Sequence, residues 1–291
     1  MNKRIRNSII LFALLILILT SFYFFHPKLK VGIIGVDNIS QYYLKVSKQG
    51  FQKNYNRYFK TTVLDERLSS KNIRVNNSFY LNSDFFREIE KTNLHEEYNI
   101  DYILILTNHK IKDWDEEGSG VWGQADTKTS SALLTTLYFQ NNNLIIQNHA
   151  THEVLHLLGF LHNVFDESGI MQYMNNNEPH LCPYYNFQMP FRTSMIRLFP
   201  NKDFLLTVYV MNFLFSLILF LGFMGFNELL YYYDEKKNNL KKRSLKIDII
   251  ASLLFFVFAI FYNYVFSIFL LPLLFLIGMH LLRNEKGDSR F

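Results

Sequence analysis

His152-Glu153-Val154-Leu155-His156-Leu157-Leu158-Gly159-Phe160-Leu161-His162 is the stretch on which the reading of this chain turns. Residues four apart on a helix share a face, so His152 and His156 can point at one metal ion. Glu153 follows the first histidine and falls beside the open coordination position, within reach of a water's proton. Gly159 tolerates the left-handed conformation that ends a helix, and the reversal it permits brings His162 back as a third ligand. Three protein ligands with one position left open mark a catalytic zinc rather than a structural one. The expectation is therefore one Zn²⁺ held by His152, His156 and His162, with Glu153 as the general base. The bland account is a surface helix with incidental histidines, or a motif that outlived its activity.

The surroundings of this helix alternate strand and helix patterns. The zinc helix is predicted over Leu144 to Leu158, after a turn at Gln140-Asn141-Asn142-Asn143 and a strand over Ser130 to Phe139. Upstream, Lys30 to Asp37 reads as a strand. Ile39 to Tyr58 reads as a helix with Tyr43, Leu44, Val46, Phe51 and Tyr55 as its apolar points. Thr61 to Leu64 and Ile100 to Thr107 read as further strands, and Asp84 to Leu94 as a second helix. The whole predicts an α/β (α+β) catalytic domain in which a mixed sheet feeds the metal-binding helix. Asp113, Asp115, Glu116 and Glu117 make an acidic loop whose spacing fits no calcium-binding pattern, and a solvated loop accounts for it.

Beyond His162 the chain runs Gly169-Ile170-Met171-Gln172-Tyr173. A long zinc motif followed by a methionine turn resembles the metzincins. That resemblance implies that Met171, or less favourably Met174, packs beneath the ligands. It also implies that Tyr173 stands near the zinc as in astacins and serralysins, where it ligates the metal or stabilises an oxyanion. Within the metzincins the chain resembles the archaemetzincins over roughly Lys30 to Tyr185. The stretches Lys30 to Asp37 and Tyr102 to Thr107 look like that family's inner strands. Gly120-Val121-Trp122-Gly123-Gln124-Ala125 looks like its Phe-Gly-Glu-Ala segment at the sheet edge. The resemblance implies that an extended substrate pairs with that edge by strand addition. Trp122 either lines the cleft or packs in the core.

The departures concern cysteine. Archaemetzincins hold a second zinc with four cysteines around the methionine turn, and this chain has one cysteine. Asn163 and Gly169 stand where cysteines would flank the turn, and Cys182-Pro183-Tyr184-Tyr185 looks like a Cys-x-x-Cys pair with its second member replaced. One thiol cannot build a four-ligand site, so a second, structural zinc is not expected. Cys182 is then a small apolar packing residue or a free thiol.

Composition supplies the last constraint. Of 291 residues 49% are hydrophobic, and the excess lies at the two ends. Ser8 to Phe25 is an apolar run behind Lys3, Arg4 and Arg6 with no small-residue cleavage site, which reads as an uncleaved anchor over residues 1–26. Phe204 to Phe226 is of membrane-spanning length. Ile249 to Leu282 fits two short spans, about 249–263 and 265–282, or one long tilted helix. All-α transmembrane segments over 204–291 thus follow an extracytoplasmic metzincin-like domain over 27–203. Lys236, Lys237, Lys241, Lys242, Arg243 and Lys246 put the intervening loop in the cytoplasm, and the basic residues near both termini place those ends there too. The net charge of +5 comes largely from these flanking residues, and no nucleic-acid partner is called for. The activity expected is hydrolysis of a peptide or protein substrate by a membrane-anchored zinc metallopeptidase. The alternatives are an inactive membrane receptor or scaffold, and a zinc sensor that keeps the fold. Retention of Glu153, which neither needs, weighs against both.

Overall fold

The structure is a computed structural model, and it describes residues 10, 13–14, 17, 20–21, 24–112, 120–139, 142–160, 162, 171 and 183–198. Residues Ser21–Val208 pack as one compact unit. The other unit joins Met1–Thr20 and Tyr209–Phe291 and lies almost wholly outside the described residues. The chain opens with β1 (Leu29–Val36), α1 (Gln41–Asn54) and β2 (Phe59–Leu68). After a 3₁₀ turn at Ser70–Asn72 come β3 (Val75–Asn76), β4 (Phe79–Leu81), α2 (Asn82–Glu90) and α3 (Leu94–Glu97). Then follow β5 (Tyr102–Thr107), β6 (Ile111–Lys112), β7 (Gly123–Asp126) and β8 (Ser131–Thr135), and finally α4 (Asn143–Leu157) and α5 (Pro183–Leu198).

The main sheet has the order β2-β1-β5-β8-β7. Its first four strands are parallel, and β7 runs antiparallel to β8 at the edge. Central strands of a parallel sheet are covered on both faces, and every residue of β5 and β8 is buried. Alternation sorts them by face. Val31, Ile33, Tyr102, Leu104, Leu106, Ala132 and Leu134 join the core under α1 and α4. Ile34, Val36, Ile103, Ile105 and Leu133 join the core under α2. A separate small sheet, β3-β4-β6, sits beside the α2 face.

The expected mixed sheet is present, with shifted boundaries. The first helix is shorter than Ile39 to Tyr58 because the Ser40 hydroxyl caps the backbone N–H of Tyr42, and the chain leaves the helix at Tyr55. The β8 strand stops at Thr135 instead of reaching Phe139, because Phe139 N–H turns back to the Thr136 carbonyl and Asn142 N–H to that of Phe139. The α5 helix was not anticipated. Its Arg197 reaches the Lys28 carbonyl and the Asp101 carboxylate, tying the helix to the start of β1.

Among the described residues no helix is long and apolar enough to cross a membrane. The expected spans over 204–226, 249–263 and 265–282 lie outside them, as do the acidic residues Asp113 to Glu117 and Cys182. Of the expected anchor only scattered positions are described. These are helical up to Phe25, with Ile10, Leu14, Leu17, Phe24 and Phe25 all exposed.

Candidate metal centre

The helix α4 carries the site, and its ends are built by local chemistry. The Asn142 side chain accepts from the backbone N–H groups of Leu144 and Ile145, satisfying two of the donors every helix start leaves unpaired. At the other end Gly159 has φ 75°. Its N–H bonds to the His156 carbonyl, and Phe160 N–H bonds to the Leu155 carbonyl. This pair of bonds is a Schellman motif, and glycine fits it because it lacks a Cβ. The apolar partner of that motif is also present, since Phe160 and Leu155 share one core cluster.

The reversal brings His162 to the other two histidines. His152 Nε2 lies 3.0 Å from His156 Nε2 and 3.2 Å from His162 Nε2. One ligand atom from each ring falls within 4.8 Å of the other two. Zinc–nitrogen bonds of 2.0–2.1 Å in a tetrahedron put ligand atoms about 3.3–3.4 Å apart, so the triad is already near bonding geometry. The tautomer suits a metal as well. His156 Nδ1–H donates to the Phe160 carbonyl at 2.7 Å, which leaves the Nε2 lone pair facing its neighbours. Burial, followed by the charge of His162, pushes the His156 imidazole down to about 4, and burial lowers His162 too. Neutral imidazoles with converging lone pairs repel one another unless a cation lies between them. The donor set fits a single zinc ion. His152 is buried, His156 half-buried and His162 exposed.

Glu153 is buried beside this cluster, against the edge strand. A Cβ added to Gly123 of β7 would stand 2.5 Å from the Glu153 Cδ and 2.7 Å from its Cγ. The carboxylate therefore lies against bare backbone. Burial pushes its pKa up to about 8. Met171 is buried in the same core cluster as Val154, Leu155, Leu157, Leu158 and Phe160. Tyr173 and Met174 lie outside the described residues.

Two contributors were not singled out from the sequence. His149, one turn before His152, is buried with its ring stacked on Phe139 at 5.1 Å and edge-on to Trp122 at 5.1 Å. Its Nε2 has no hydrogen-bond partner among the described residues, and burial lowers its pKa to about 4. Its spacing of three from His152 was the available signal. Trp122, expected either to line the cleft or to pack in the core, also meets Phe139 edge-on at 5.6 Å and packs against the core while remaining partly exposed. The second unforeseen contributor is Arg192 of α5, fully buried against Phe160, which no local pattern marks.

No protein-family model matches the chain, and no curated protein does. Among solved structures it is similar to an archaemetzincin from Methanopyrus kandleri, at 15% identity and a TM-score of 0.48, covering 57% of this chain and 95% of that one. It is similar to an archaemetzincin from Archaeoglobus fulgidus complexed with malonate, at 18% identity and a TM-score of 0.43, covering 54% of this chain and 97% of that one. A zinc-dependent peptidase from Methanocorpusculum labreanum gives 15% identity and a TM-score of 0.41, with 55% and 99% covered.

Proposed function

We propose that this chain is a membrane-anchored, zinc-dependent metallopeptidase of the metzincin kind, hydrolysing peptide bonds in peptide or protein substrates. One observation carries the reading: three imidazole nitrogens converge at near-bonding distances beside a buried carboxylate that packs against an edge strand. Bound there, a zinc ion would supply Lewis acidity, polarising a carbonyl and lowering the pKa of a water to about 7. His152, His156 and His162 would hold it, with the His156 ring oriented by the Phe160 carbonyl.

Glu153 acts as the proton carrier. Its carboxylate takes a proton from the attacking water and hands it to the leaving amine, so one group serves as base and then as acid. Burial favours its protonated form and the positive charge of a neighbouring dication favours the ionised one; the balance suits a group that must do both. Backbone contact at Gly123 holds the carboxylate in place. Among the described residues β7 is the last strand of the main sheet, and along such an edge an extended peptide can add as a further strand. Trp122, just before that strand, supplies an apolar wall.

The exposed apolar side chains Ile10, Leu14, Leu17, Phe24 and Phe25 support an anchor over residues 1–26, because such a row in water is costly and in lipid is not. The basic loop at Lys236 to Lys246 supports both termini in the cytoplasm and the zinc domain on the other side.

The test is metal analysis and peptide-library turnover of the full-length chain beside Glu153→Gln. Expected are one zinc per chain in both, and a drop in turnover of about 10²–10⁴-fold in the variant. A wild-type chain that binds no zinc refutes the metal centre. A zinc-loaded variant that turns over at the normal rate refutes the role of Glu153.

A further inference from the structure

We infer that Arg192 is a positioning residue of the metal centre: from α5 it clamps the turn after α4 and thereby sets the carbonyl that orients His156. The inference rests on the zinc reading of the histidine triad. Arg192 is 1% exposed and heads the largest fully buried side chains of the described residues. A buried guanidinium is costly unless its donors are used, so the groups it meets are informative.

Its Nη1 donates to the Leu158 carbonyl at 2.7 Å, and its Nε to Gln188 Oε1 at 2.8 Å. The guanidinium carbon lies 4.2 Å from the centre of the Phe160 ring. Leu158 is the C-cap of α4, at the negative end of that helix, where carbonyls lack intrahelical partners. A cation arriving there satisfies a carbonyl and complements the helix dipole together. Its planar face also suits an aromatic ring in a way that an ammonium does not.

Leu158 and Phe160 bracket Gly159, so one side chain grips both sides of the reversal. The Phe160 carbonyl accepts from His156 Nδ1, and His162 follows two residues later. Losing the clamp frees the ring of Phe160 to shift. Its carbonyl then moves away from His156, and the exit path to His162 changes with it. Interactions of this kind around a metal ligand are worth about 10–100-fold in metal affinity.

The experiment compares the full chain with Arg192→Met, which keeps an apolar stem of similar length and removes the planar cation. Zinc affinity is read by chelator competition, ligand geometry by the visible spectrum of the cobalt-substituted protein, and stability by the melting midpoint of the metal-free form. The expected result is an affinity lower by about 10–100-fold with an altered cobalt spectrum. Phe160→Leu leaves Arg192 in place, removes the ring it grips, and is expected to weaken affinity in the same direction; it decides the matter if Arg192→Met does not fold. Wild-type affinity and spectrum in the folded variant overturn the assignment, even if its metal-free midpoint falls. A wild-type chain that binds no zinc would instead refute the metal centre itself, so the two failures are distinct.

Discussion

Gly123→Ala tests the contact between the edge strand and Glu153, the proposed general base. The new Cβ would stand 2.5 Å from Glu153 Cδ and 2.7 Å from Cγ, whereas carbon atoms rest at about 3.5–4.0 Å. Relief demands a shift of about 1 Å, by the carboxylate or by β7. The penalty is steric and not torsional, since Gly159 is the glycine recorded at positive φ among the described residues. A misplacement of 1 Å at a reacting group costs about 10²-fold in rate, or about 2.7 kcal/mol of barrier. The three atoms nearest the added Cβ all belong to Glu153 and none to the three histidines, so the metal should stay. Expected, then, is a kcat reduced about 100-fold with zinc stoichiometry unchanged. Steady-state kinetics on a peptide identified from the library, with metal analysis of the same sample, reads both. A kcat within a few-fold of wild type would show that Glu153 is not held by β7, and the reasoning would fail.

Two further outcomes are expected. Asp84 is buried and takes hydrogen bonds from the Arg74 side chain at 2.7 and 2.8 Å, from Arg74 N–H, and from Arg87. The Arg74 contacts hold its pKa down at about 2. A depressed carboxyl contributes stability above its unfolded pKa of about 4, and that contribution drains away as pH falls from about 4 toward 2. Asp84→Asn should therefore cost about 2 kcal/mol by denaturant titration at neutral pH and much less near pH 2; an equal loss at both would contradict the assignment. In sealed inside-out vesicles, added protease should trim the loop bearing Lys241 and spare the domain of residues 27–203. Cleavage of the domain with the loop protected would reverse the proposed orientation.

The zinc helix was legible because its determinants are local. The spacing of His152 and His156, the polar run that supplies the Asn142 cap, and the Gly159 stop all act within one turn of the residues they govern. The observed helix, Asn143–Leu157, is displaced by one residue from the expected one. Strands β1 and β5 were legible for a similar reason, as continuous apolar runs in a sheet buried on both faces. The β3, β4 and β6 strands were not, because two or three residues carry no period. The α5 helix carries Pro190 in its interior, which reads against a helix when neighbours are unknown.

The order of residues alone determined which side chains can bind a metal, because ligand type and helical periodicity are properties of a short segment. Folding decided what surrounds them. The bare backbone of Gly123 comes to Glu153 from another strand, and Arg192 comes to Leu158 from 34 positions along the chain. Such contacts join segments that neither spacing nor composition relates; only the closing of the sheet and the docking of α5 bring them within van der Waals and hydrogen-bonding range.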